Sequence, residues 1–208
     1  MSRQHGETTT MKTLYIFLTR SGTLLSNLVY RLTGAQYTHI SLAFDEDLST
    51  LYSSTRKNGY TMFPAGPSRE YLNRGVFLMR ENIPCALYAL EVTDEAYIRA
   101  KRRTQHMMHH GELYRFNSLG LLLCWMHIRW QRRRHYFCSQ FVSEVLQKSG
   151  ALDLPKPSTL MHPSDYAELP ELRCLYRGTL AGLPQRQSMA LGEVESVMGL
   201  YLNVLLGA

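Results

Sequence analysis

Cys138 and His39 are the two residues whose types and settings could do chemistry together. Cys138 opens the run Cys138-Ser139-Gln140-Phe141-Val142-Ser143-Glu144-Val145-Leu146, which reads as an amphipathic helix with Phe141, Val142, Val145 and Leu146 on one stripe. A thiol in the first turn of a helix meets unpaired backbone amides and the positive end of the helix dipole. That setting favours thiolate chemistry and can hold an oxyanion. The same spacing also fits a small cysteine buried in a core, since Cys138 lies three and four residues before Phe141 and Val142.

His39 sits in Tyr37-Thr38-His39-Ile40-Ser41-Leu42-Ala43-Phe44, a strand-like run. Alternation sets Tyr37, His39, Ser41 and Ala43 on one face and Ile40, Leu42 and Phe44 on the other. One side is oily and suits packing on a helix; the other suits a cleft or solvent. An imidazole brought to the thiol would shuttle protons, and such a base needs a third group to orient its ring. The hairpin partner strand offers Tyr52, Ser53 and Ser54; if the hairpin turns near Glu46 and Asp47, Ser53 or Ser54 comes opposite His39, and the register does not choose between them. Arg20 and Arg56 flank this expected cleft and suit a carboxylate or phosphate.

The elements that must position these residues follow from pattern and punctuation. Strands are expected over 13–19, 36–44 and 48–55, with a helix over 22–33 between Ser21 and Gly34. Residues 57–75 read as a long surface loop rich in Gly, Pro and Asn. Further strands are expected over 76–79, 85–92 and 174–180. Thr93 or Asp94 caps a helix to about 110, a buried apolar helix covers 118–130, and the Cys138 helix ends at Gly150. Prolines 155, 157, 163 and 170 make 152–170 a loop, and 189–206 is weakly helical. The reading is one α+β domain over 11–186, with a disordered leader at 1–10 and a helical appendage at 187–208 that packs on the domain.

Composition narrows the partners. With 45% hydrophobic and 19% charged residues, the 208-residue chain folds rather than staying disordered. No apolar run is long enough to span a bilayer and no signal core opens the chain, so a cytoplasmic location is expected. Cys85, Cys124, Cys138 and Cys174 form no close pair, which signals neither a zinc knuckle nor a disulfide framework. His106, His109 and His110 have helical spacing but no Glu among them, and read as a polar helix end rather than a metal site. No cofactor is expected. The net charge of +6 gathers in Lys101-Arg102-Arg103 and Arg132-Arg133-Arg134, each a solvated face that together suit an anionic membrane surface; no nucleic-acid partner is expected.

Three segments carry a resemblance. Tyr37 through Asp45, Leu51-Tyr52-Ser53, and Tyr136-Phe137-Cys138-Ser139-Gln140-Phe141-Val142 resemble the circularly permuted papain-like cysteine hydrolases. This is the NlpC-related superfamily, which includes the lecithin–retinol acyltransferase-like proteins. Tyr114-Arg115-Phe116-Asn117 and Lys156-Pro157-Ser158 are similar to elements of its bacterial members, and the resemblance spans roughly 14–180. It implies an antiparallel sheet packed against helices in the permuted papain-like (NlpC-type) arrangement. It implies Cys138 as nucleophile, His39 as base, and a third polar residue on the strand after the histidine, where this chain has Ser53 rather than the His, Glu, Asn or Gln of many members. Tyr136, Arg20 and Arg56 are the expected substrate contacts. The implied activity is thiol hydrolysis of an amide or ester, peptidase- or amidase-like, through an acyl-enzyme. A lipid acyltransferase or lipase at an anionic membrane, and a non-catalytic binding module that keeps the fold, are the alternatives. Substrates would be a small peptide, a peptidoglycan-like amide or a lipid ester.

Overall fold

Leu14, Ile16 and Leu18 alternate with Thr13, Tyr15 and Phe17, a period-two pattern that gives a strand two apolar faces. In the computed structural model, which describes residues 10–20, 30–31, 34–56, 65–79, 82–185 and 188, this segment is β1 (Met11–Thr19). It is an inner strand of a six-stranded antiparallel sheet. The other members are β2 (His39–Ala43), β3 (Leu51–Arg56), β4 (Ala65–Glu70), β5 (Pro84–Thr93) and β8 (Arg173–Thr179), in the order β4-β3-β2-β1-β5-β8. A short parallel pair, β6 (Arg115–Phe116) and β7 (His135–Tyr136), stands apart. The helices described are α1 (Val76–Met79), α2 (Asp94–His109), α3 (Ser118–Trp125) and α4 (Cys138–Ser149). The architecture is α+β.

Both faces of the sheet are covered. Leu14, Ile16, Leu18, Ile40 and Leu42 pack against Ala96, Ala100 and Met107 of α2 and Phe141, Val142, Val145 and Leu146 of α4. On the other face Phe17, Ala43, Leu51 and Leu87 meet Leu48, Leu72, Phe77, Leu180 and Leu183. The first cluster fixes α4, and with it Cys138. Phe141 is fully buried there, so Phe141→Ala should cost about 3–5 kcal/mol, read as a fall in the urea midpoint at unchanged slope.

The helix ends follow local chemistry. The Thr93 side chain accepts from the Ala96 amide at the start of α2. Gly150 closes α4 at φ 71°, in the left-handed region where glycine carries no Cβ penalty. The apolar helix expected over 118–130 stops at Trp125. His127 turns to φ 58°, and the amides of His127 and Ile128 bond back to the carbonyls of Cys124 and Leu123, a Schellman closure. Nor is it a buried helix, since Leu119, Leu122, Met126 and Ile128 are exposed.

Two further expectations are corrected. Residues 57–75 are not all loop, because β4 pairs with β3 along Ala65–Glu70. Pro67 disguised it; an edge strand tolerates a residue without an amide donor. Gly66 lets this strand approach Tyr114, whose carbonyl oxygen would lie 3.0 Å from an added Cβ. The strand expected over 76–79 is the short helix α1. The helix expected over 22–33 falls outside the described residues except for Tyr30 and Arg31, which are helical; the leader over 1–10 and the appendage over 187–208 fall outside them too, except for Thr10 and for Ser188, which is helical. Among the described residues no helix is long and apolar enough to cross a membrane.

Candidate active site

Cys138 is delivered by a strand held from two sides. The Tyr136 carbonyl at the end of β7 accepts from the Asn117 amide at 3.2 Å and from the Ser54 hydroxyl at 2.7 Å. Phe137 is then extended at φ −92° and ψ 174°, and the helix begins at Cys138. The first intrahelical bond runs from the Phe141 amide to the Phe137 carbonyl, so the amides of Cys138, Ser139 and Gln140 lie ahead of the helical ladder. Phe137 supplies no side-chain cap to them. The helix is pinned further along by Ser139, whose hydroxyl donates to the Met161 carbonyl, and by the Ser143–Tyr166 hydroxyl pair at 2.7 Å. Ser54→Ala should remove one anchor of the Tyr136 carbonyl and destabilise the fold by about 1–2 kcal/mol in a urea titration.

His39 opens β2 opposite Thr19 of β1. Its Nε2 is 2.9 Å and 3.1 Å from the two carboxylate oxygens of Glu70, the last residue of β4. The Ser41 hydroxyl donates to the same carboxylate at 2.6 Å and lies 3.3 Å from Nε2. The Cys138 thiol is close enough to favour the charged form of the ring. Burial works against a charged imidazole here, but the Glu70 carboxylate, the thiol contact and the Glu70 hydrogen bond outweigh it and push His39 up to about 10. Glu70 is held below the usual carboxylate range: burial opposes ionisation, and the His39 charge, its hydrogen bond and the Ser41 hydroxyl overcome that. Burial is deep but not closed: 13% of the His39 side chain, 16% of Glu70 and 7% of Cys138 stay exposed.

The residue that orients His39 is therefore Glu70, not Ser53. The Ser53 hydroxyl is fully buried and donates to the Ile40 carbonyl at 2.7 Å. Ser54 serves Tyr136, and Tyr52 lies opposite Leu42 with its ring against Phe44. None of the three touches the imidazole. The signal for Glu70 was weak: an acid at the end of a segment whose Gly66 and Pro67 argue against a strand.

The expected substrate contacts fare differently. Tyr136 is a core residue, packed near Tyr114, its hydroxyl pushed up to about 12 first by burial and then by the Glu144 charge. Arg20 follows Thr19, the strand partner of His39, and its guanidinium lies 4.4 Å from the Tyr30 ring centroid. It stays beside the site. Arg56 is the last residue of β3.

The other thiols form a contrast. Burial pushes both Cys85 and Cys124 up to about 12. Cys124 does meet an imidazole, His162 Nε2 at 3.7 Å, but burial holds that ring below its ordinary value despite nearby Asp165. Cys174 is exposed on edge strand β8. Of the basic patches, Arg103 is paired with Glu144 and Lys101 lies over the Tyr97 ring. The imidazoles of His106 and His109 both pack against that of His110. No protein-family model matches the chain, and neither a curated protein nor a solved structure matches it.

Proposed function

We propose that this protein is a thiol hydrolase of amides or esters, built on a permuted papain-like arrangement, with Cys138 as nucleophile, His39 as acid and base, and Glu70 as the residue that orients and charges His39. The supporting observation is an imidazole 2.9 Å from a carboxylate, favoured further in its charged form by the thiol at a helix start. Glu70 fills the role that the sequence offers to the hairpin serines, and a carboxylate holds an imidazolium better than a hydroxyl does.

The chemistry runs as two transfers. The Cys138 sulfur, its proton held on His39, attacks the substrate carbonyl carbon, and the carbonyl oxygen takes the negative charge. Amides at the start of α4 donate to that oxyanion. The intermediate collapses to a thioester, and the leaving amine or alcohol departs with the proton from His39. A water then attacks the thioester carbon and loses its proton to the neutral imidazole. Collapse releases the carboxylic acid and returns the sulfur to its place beside protonated His39. An alcohol or amine replacing the water would make the same centre an acyltransferase.

The test is turnover of small activated esters and peptide amides by the full chain, with the acyl-enzyme trapped by acid quench and located by mass spectrometry. An acyl group on Cys138 supports the reading. Burst acylation on another residue, or no turnover together with an unreactive Cys138, overturns it.

A further inference from the structure

The helix α3 is apolar all round and turns large apolar side chains outward. Gly120 and Cys124 are buried and face the domain, while Leu119, Leu122 and Met126, spaced three and four apart, form the outward face and are exposed by 52%, 49% and 55%. Ile128, just past the helix, is exposed as well. A soluble helix normally arranges these faces the other way. The parallel pairing of Arg115 with His135 and Phe116 with Tyr136 clamps the two ends of the segment together, and buried Gly120 and Cys124 hold it to the domain.

Its charge is one-sided. Between Glu112 and Glu144 the chain has no Asp or Glu, while Arg115, Arg129, Arg132, Arg133 and Arg134 all fall in that interval. Those five arginines are exposed. The Arg134 carbonyl accepts from the Arg115 amide at 2.9 Å, which brings the end of this run beside its start. Both tryptophans of the chain, Trp125 and Trp130, are here too, each half-buried. Exposed leucines, half-buried tryptophans and arginines gathered in one segment are the residue types a lipid interface selects. A nucleic acid would engage the arginines but leave Leu119, Leu122 and Met126 in water.

We infer that α3 and the segment through Arg134 form a docking surface for an anionic phospholipid bilayer, with Leu119, Leu122, Met126 and Ile128 entering the headgroup–acyl boundary and the arginines meeting lipid phosphates. The inference does not depend on Cys138 being reactive. The segment does border that centre: Asn117, which caps α3, bonds to the Tyr136 carbonyl and through its side chain to Gln140 in the first turn of α4.

The test uses the full chain and two kinds of vesicle, phosphatidylcholine alone and phosphatidylcholine with phosphatidylserine in equal parts. Co-sedimentation and tryptophan emission are read together, since both tryptophans report from this surface. Binding to the anionic vesicles with a blue shift, and weaker binding to the neutral ones, is expected. Arg132→Gln with Arg133→Gln should weaken anionic binding by roughly thirtyfold at low salt. Leu122→Glu with Met126→Glu should abolish binding and blue shift alike, at unchanged circular dichroism. Vesicle binding that survives both double variants overturns the assignment, as does absence of binding. So does self-association that the Glu variant dissolves without any vesicle binding by the parent, which would make the apolar face a contact between copies. Binding of duplex DNA in place of vesicles counts against it equally.

Discussion

Replacing Cys138 by Ala should reduce ester and amide turnover to background, on the order of 10⁴-fold or more, with the fold intact. The loss belongs to the sulfur alone. Ala keeps the volume close to that of Cys at a position where 7% exposure leaves little room for rearrangement, and the bonds of Ser139 and Ser143 still pin the helix. Alkylation gives a second readout. Iodoacetamide should modify Cys138 first and Cys174 more slowly; Cys174 is the internal standard for an accessible thiol. Cys85 and Cys124, neutral and buried with thiols pushed up to about 12, should stay unmodified in the native state. His39→Ala should bring the Cys138 rate down to that of Cys174. If Cys138 reacts no faster than Cys174 in the parent chain, there is no activated nucleophile, and the domain is a scaffold with a cysteine in it.

What the sequence disclosed and what it hid divide along a physical line. The Cys138 helix and the His39 strand are legible because their apolar residues recur at regular spacing, and both faces they imply are buried. Glu70 was not legible. It is brought to His39 from two strands away by β4, an edge strand with glycine and proline inside it, so neither alternation nor propensity marks the segment. The α3 surface was misread for the opposite reason. Leu119-Gly120-Leu121-Leu122-Leu123-Cys124-Trp125 is apolar on all sides, and composition of that kind signals burial without saying against what. Tyr136 shows the same limit: next to Cys138 in sequence, it turns into the core because its carbonyl, not its ring, is what the site needs.

Glu70→Gln should cost on the order of 10²-fold or more in turnover near neutral pH and should move the alkaline limb of the pH–rate profile to lower pH. In the parent chain the His39 proton serves the leaving group and is retained until about pH 10, so turnover should decline only as pH passes that value. The amide can still hydrogen-bond the ring but carries no charge. Burial, already the largest influence on His39 and directed against the imidazolium, then acts unopposed by a carboxylate, and the ring loses its proton at lower pH. Ser53→Ala, which leaves His39 and Glu70 in contact, should change turnover by no more than a few-fold. Stability gives an independent check with a defined sign. Because the folded His39 value lies above its ordinary 6.5, the stabilisation it contributes is complete below pH 6.5 and is lost as pH rises through about 10. Because the folded Glu70 value lies below its ordinary 4.5, its contribution is present above pH 4.5 and is lost as pH falls through the folded value. The urea midpoints of parent and Glu70→Gln should therefore differ most between about pH 4.5 and 6.5 and converge towards pH 10. A gap that widens with rising pH would mean that Glu70 acts on the fold by some route other than the charge on His39, and the role given to it in catalysis would lose its physical basis.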